Sequence, residues 1–148
     1  MNSLKHYGRL VGIDVGTKRV GVARTDLLRT VANPVGTFPP DEVLNVIAGF
    51  QDSHPVVGFV VGWPLTTSGE KGKATEMVED FIKKLEKRFP GISIHRVDER
   101  YSSQEAMNTL INAGVSQKRR GKKGRVDQTA AALLLQHFLE SNSNHEDS

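Results

Sequence analysis

Apolar positions along the chain follow two periods, and the changes from one to the other mark its elements. Residues 9–15 are apolar and largely β-branched, and Arg19-Val20-Gly21-Val22-Ala23-Arg24-Thr25 alternates with period two after the turn Gly16-Thr17-Lys18. Together they predict a β-hairpin. A third strand is expected over 31–38, after which Pro39-Pro40-Asp41-Glu42 opens a helix carrying Val43, Val46, Ile47 and Phe50 on one face. Residues 56–61 form an unbroken apolar run, which suits a strand covered on both faces.

The second half repeats the strand–helix order. Thr67 and Glu70 predict a capping box, and Ala74, Met77, Val78, Phe81, Leu85 and Phe89 keep helical spacing until Pro90-Gly91. This is expected to be the longest helix. A fifth strand over 92–97 leads to a second capping box at Ser102 and Glu105, for a helix reaching about Asn112 and stopped at Gly114. A last helix over 126–140 places Asp127, Ala131, Leu134 and Phe138 on one stripe, and the polar stretch 141–148 is expected to fray. The sum is an α/β protein: an antiparallel hairpin and third strand, then two strand–helix units, in a mixed five-stranded sheet with helices packed on it.

Composition narrows the class. The 148 residues contain no linker-like run, so a single domain over 1–140 is expected, burying roughly 70% of its unfolded surface. The absence of cysteine excludes disulfides, thiolate zinc sites and thiol redox chemistry. Neither an apolar leader nor a run of about 18 apolar residues is present, which predicts a soluble, cytoplasmic protein. The net charge of +3 is small, but it is unevenly spread. Lys118, Arg119, Arg120, Lys122, Lys123 and Arg125 put six cations into eight residues with two glycines, a basic loop suited to phosphates.

Three carboxylate regions stand at the ends of apolar segments, where charge is costly unless paired. Asp14 lies inside Leu10-Val11-Gly12-Ile13-Asp14-Val15-Gly16, although strands are depleted in Asp, and the flanking glycines leave room for a ligand to approach. Asp98 and Glu99 are adjacent at the end of the fifth strand, so alternation turns them to opposite faces without choosing between them. Asp127 opens the last helix either as a cap or, on its apolar stripe, as a group turned toward the sheet. Each also has a structural reading, as a cap or as an ion-pair partner of Arg96 or Arg100. Converging, such carboxylates would hold Mg2+ or Mn2+ for two-metal hydrolysis of phosphodiesters. Lys18 and Arg19, just past Asp14, are candidate phosphate contacts. The five histidines show no paired metal spacing, and neither a Walker loop nor a GxGxxG turn is present.

At these residues the chain resembles the YqgF/RuvX family of RNase H-like nucleases, described as Holliday junction resolvases and as enzymes maturing the 5′ end of pre-16S rRNA. The resemblance covers about residues 8 to 140. It rests on Gly12-Ile13-Asp14-Val15-Gly16-Thr17-Lys18-Arg19, on Val61-Gly62-Trp63-Pro64-Leu65 with Gly69, on Asp98-Glu99-Arg100 with Ser102, and on Asp127-Gln128-Thr129-Ala130-Ala131. Tyr101 and Gln128 depart from the family pattern without touching a carboxylate. The resemblance implies an RNase H-like sheet and catalysis by Asp14, Glu99 and Asp127 with a divalent metal, which decides for Glu99 over Asp98. It also implies that Lys18, Arg19, Arg100 and the loop from Lys118 to Arg125 contact structured RNA or branched DNA, in a monomer or homodimer. Two alternatives stand beside it: a non-catalytic RNA-binding assembly factor on the same fold, and an actin-like ATPase module, which the length of the chain disfavours.

Overall fold

The computed structural model of the chain describes residues 8–64, 72–98, 104–114 and 128–146. Strands β1 (Arg9–Val15), β2 (Val20–Thr25) and β3 (Ala32–Phe38) precede helix α1 (Val43–Ser53). Strand β4 (Val56–Trp63), helix α2 (Lys73–Arg88), strand β5 (Ser93–Asp98) and helices α3 (Gln104–Asn112) and α4 (Gln128–Glu146) follow. The sheet order is β3-β2-β1-β4-β5, with β1–β2 and β2–β3 antiparallel and β4 and β5 parallel to β1. The expected hairpin, third strand and strand–helix units are all present.

Strand order follows from apolar content. β1 and β4, the most continuously apolar segments, lie side by side at the centre, where both faces are covered. Pro34 cannot donate to a ladder and sits in edge strand β3, beside a register shift between Val22 and Ala23 of β2. On one face of the sheet, Val11, Ile13, Val22, Phe59 and Val61 pack with Val43, Ile47 and Phe50 of α1 and Val78, Phe81, Ile82 and Leu85 of α2. On the other, Leu10, Ala23, Ala32 and Val60 meet Leu110 of α3 and Ala131, Ala132 and Leu135 of α4. Burying a side chain such as Phe59 completely contributes about 1.5–3 kcal/mol.

Two local expectations change, and two lie outside the described residues. The capping box at Thr67 and Glu70 lies outside the described residues, as do Ser102 and the side chain of Glu105. In the described structure α2 starts at Gly72, whose N–H donates to Thr75 Oγ1 at 2.8 Å while that hydroxyl donates to the Gly72 carbonyl at 2.6 Å. Thr75 is therefore buried and Ala74 exposed. The longest helix is α4, with 19 residues against 16 in α2, because it continues through Glu146 into the stretch expected to fray. Ser and Asn cost at most about 0.7 kcal/mol each in a helix that is already nucleated, so propagation carries across them. Gly114 ends α3 as expected, at φ +90° with its N–H donating to the Ile111 carbonyl.

Candidate active site

Asp14 is buried, one residue before the C-terminal end of β1. Its cross-strand partner in β2 is Gly21, and because Ile13 pairs with Val61 in β4, Asp14 stands level with Gly62. With Gly12 and Gly16 two residues away along the chain, the carboxylate is ringed by positions that carry no side chain. Local reading finds Gly12 and Gly16. The glycines on the neighbouring strands become visible only through the register.

The face on which Asp14 lies is fixed by Gly12, which shares it. A Cβ on Gly12 would meet the Ala131 carbonyl and Leu135 Cβ of α4, each at 2.9 Å. Asp14 thus belongs to the α4 face. Helix α4 runs antiparallel to β1, since Ala131 and Leu135 cover Gly12 while Phe138 and Leu139 reach the cleft around Leu10. Its N-terminal end is the end nearest Asp14.

Strand β5 fixes the face of Asp98. Val60 and His95 are paired, His95 stacks on Phe138 of α4 with ring centroids 4.8 Å apart, and Val97 packs into the α4-side core. Ile94 packs into the opposite core, and Arg96 lies over Trp63 at 5.2 Å. Asp98 pairs with Trp63, which packs on that opposite core, so its side chain shares Trp63's face and not the face of Asp14. Trp63 is a half-buried packing residue.

Of the other candidates, Lys18 and Arg19 are exposed in the β1–β2 turn, which is closed by the Gly16 N–H donating to the Arg19 carbonyl at 2.9 Å. Glu99, Arg100, Asp127, Leu65, Gly69 and the basic residues Lys118, Arg119, Arg120, Lys122, Lys123 and Arg125 lie outside the described residues. Among the described residues no three His, Asp or Glu side chains converge as a metal site would require, and no helix is long and apolar enough to cross a membrane.

A five-stranded mixed sheet in this order, with helices on both faces and a buried carboxylate near the end of its first strand, is an RNase H-like fold of the RuvC type. The structure of Thermus thermophilus RuvC in complex with Holliday junction substrate superimposes with a TM-score of 0.57 at 12% identity, covering 93% of this chain and 97% of that one. A family model described as RuvX, Holliday junction resolvase, matches residues 8–141, and the chain belongs to that family. A protein of Salinibacter ruber named "Putative pre-16S rRNA nuclease" is 50% identical over 139 residues, 94% of this chain and 97% of the relative. A protein of the same name from Chlorobium phaeobacteroides is 43% identical over 136 residues, 92% of this chain and 94% of the relative.

Proposed function

We propose that this chain is a divalent-metal-dependent nuclease that hydrolyses phosphodiester bonds in structured nucleic acid, with Asp14, Glu99 and Asp127 as its carboxylates. The observation that carries the reading is Asp14 itself, a buried acid in a central strand ringed by glycines. An apolar side chain would pack under α4 at no desolvation cost, so a carboxylate at this position is better explained by chemistry than by stability.

Spacing supports the other two acids. Asp127 stands four residues before Ala131 in the sequence, and Asp14 follows Gly12 by two strand residues, about 6.6 Å. Because α4 and β1 are antiparallel and Ala131 lies over Gly12, the N-terminal end of α4, which follows Asp127 in the sequence, lies toward Asp14. Alternation along β5 gives Asp98 to the face opposite Asp14, which leaves Glu99, the position the family resemblance names, as the third carboxylate of the proposal. The donor set is all carboxylate oxygen, which fits a hard ion such as Mg2+ or Mn2+. Such an ion supplies activation of water and neutralises charge at the phosphate. The chain's own part is to hold Asp14 in one orientation, to exclude water under α4, and to bring phosphates to the exposed cations Lys18 and Arg19, aided by Arg100 and the basic loop.

The names of the relatives point to precursor 16S rRNA as substrate and the family description to a four-way DNA junction. Matched cleavage assays on both, with Mg2+ and with Asp14→Asn as control, test the proposal. Cleavage of one substrate that Asp14→Asn reduces to background is expected. Full activity in that variant would remove the site assignment. Salt-sensitive RNA binding with no cleavage at any Mg2+ concentration would instead favour a non-catalytic assembly factor.

A further inference from the structure

On the face of the sheet opposite Asp14, a groove of about 510 Å³ opens at the same end of β1. Val15, Leu44, Met77 and Phe81 make its apolar lining, and the β1–β2 turn contributes Gly16 and Thr17. Lys73 and Lys84 stand exposed at its rim, about three turns apart on one stripe of α2. Glu76 and Asp80 lie between them, also exposed.

The mixture decides what the groove can take. Two cations flanking two carboxylates on one stripe give no net charge to draw a bare anion, and the space is too small for a duplex. A single nucleotide answers each part. Its base covers the apolar lining, its exocyclic amino group donates to Glu76 or Asp80, and its phosphates meet Lys73 and Lys84. A base held in a duplex presents neither its flat face nor its pairing edge, so the occupant must be unpaired. Val15 and Gly16 directly follow Asp14, so a strand crossing the C-terminal end of β1 meets the acid on one face and the groove on the other.

Resting on the nuclease reading above, we propose that this groove holds an unpaired nucleotide flanking the bond cut at Asp14, and thereby selects substrates with a single-stranded segment beside the cleavage point. None of the cations assigned above as nucleic-acid contacts lies on α2.

The test uses the full chain without divalent ion, so that binding is read apart from cleavage. Fluorescence anisotropy compares an RNA hairpin bearing a short single-stranded flank with the same hairpin made blunt, and the flank carries 5-iodocytidine, which keeps an exocyclic amino group, for photocrosslinking. Crosslinks are expected in the tryptic peptide from Ala74 to Lys83, which contains Met77 and Phe81. Lys73→Gln/Lys84→Gln should lower the salt slope for the flanked RNA by about 1.4, the value for two single-strand phosphates, and leave the blunt hairpin unchanged. Met77→Trp, which fills the groove without altering charge, should weaken the flanked RNA at an unchanged slope. Crosslinks confined to other peptides, or equal effects on both RNAs, would overturn the groove and leave the nuclease reading intact. Failure of the wild-type chain to bind the flanked RNA would also overturn the groove, while the nuclease reading is decided separately by the Mg2+-dependent cleavage assays on RNA and on the DNA junction.

Discussion

Gly12 shows how closely residue-level chemistry is set around the site. A methyl group there would press on a backbone carbonyl and on the Cβ of Leu135, neither of which can swing aside. Gly12→Ala is therefore expected to lower stability by about 1–3 kcal/mol, read as a fall in urea midpoint at constant slope. Gly58 makes the control, because an added Cβ would meet only Leu10 Cδ2 closely, at 2.8 Å, the far end of a side chain that can rotate. Gly58→Ala should cost clearly less. Equal losses would show that the approach of α4 to β1 is not what requires Gly12.

Asp26 carries the pH response at this scale. Its partial burial raises the carboxyl pKa, but the Thr30 hydroxyl at 2.7 Å and the N–H groups of Thr30 at 2.7 Å and Val31 at 3.0 Å outweigh that and hold it below the usual value. A group whose folded pKa is depressed contributes stability above its unfolded pKa, near 3.9, and loses it as pH falls through the folded value. Urea midpoints should be flat on this account above about pH 5 and decline below about pH 4. In Asp26→Asn the midpoint should be lower at neutral pH and the acid decline shallower, which a pH series of unfolding curves would check.

Among elements, α4 has the largest structural part, and Gln136 ties it to the sheet. Gln136 is buried, and its amide oxygen accepts the Ala32 N–H of β3 at 2.9 Å. Gln136→Leu keeps the volume but leaves a buried donor without its acceptor, a loss of about 1–3 kcal/mol. Faster hydrogen exchange at the Ala32 amide would localise the effect. Nothing in the periodicity marks Gln136 as buried, since a polar residue among apolar neighbours on α4 reads as the solvent side. The cap seen at Gly72 is hard to read for a related reason: it uses a buried threonine hydroxyl and a glycine amide, which no capping pattern in the sequence marks.

For the whole molecule, the test is whether folding and metal binding are linked. A divalent ion that binds only the folded chain stabilises it by about 2.7 kcal/mol at one hundred times its Kd. The Tm of the wild-type chain should therefore rise on titration with Mg2+ or Mn2+, and that of Asp14→Asn should not. An identical rise in both would place the metal elsewhere, whatever cleavage assays show.

The sequence alone determined the elements and the anomaly. Periods of two and 3.6, with Pro and Gly as stops, were enough for the five strands and four helices of the described residues and their order, and a carboxylate inside an apolar strand was conspicuous without any fold. It could not determine faces. Alternation says that Asp98 and Glu99 point opposite ways, and that Gly12 and Asp14 point the same way, but not which way. That was decided when α1 and α2 covered one face and α4 covered the other, putting Gly12 and Asp14 beneath α4, Asp98 beside Trp63 on the opposite side, and Gly21 and Gly62 level with Asp14. Period is a property of neighbouring residues along the backbone, and it survives without tertiary contacts. The absolute side of a sheet exists only once something is packed against it.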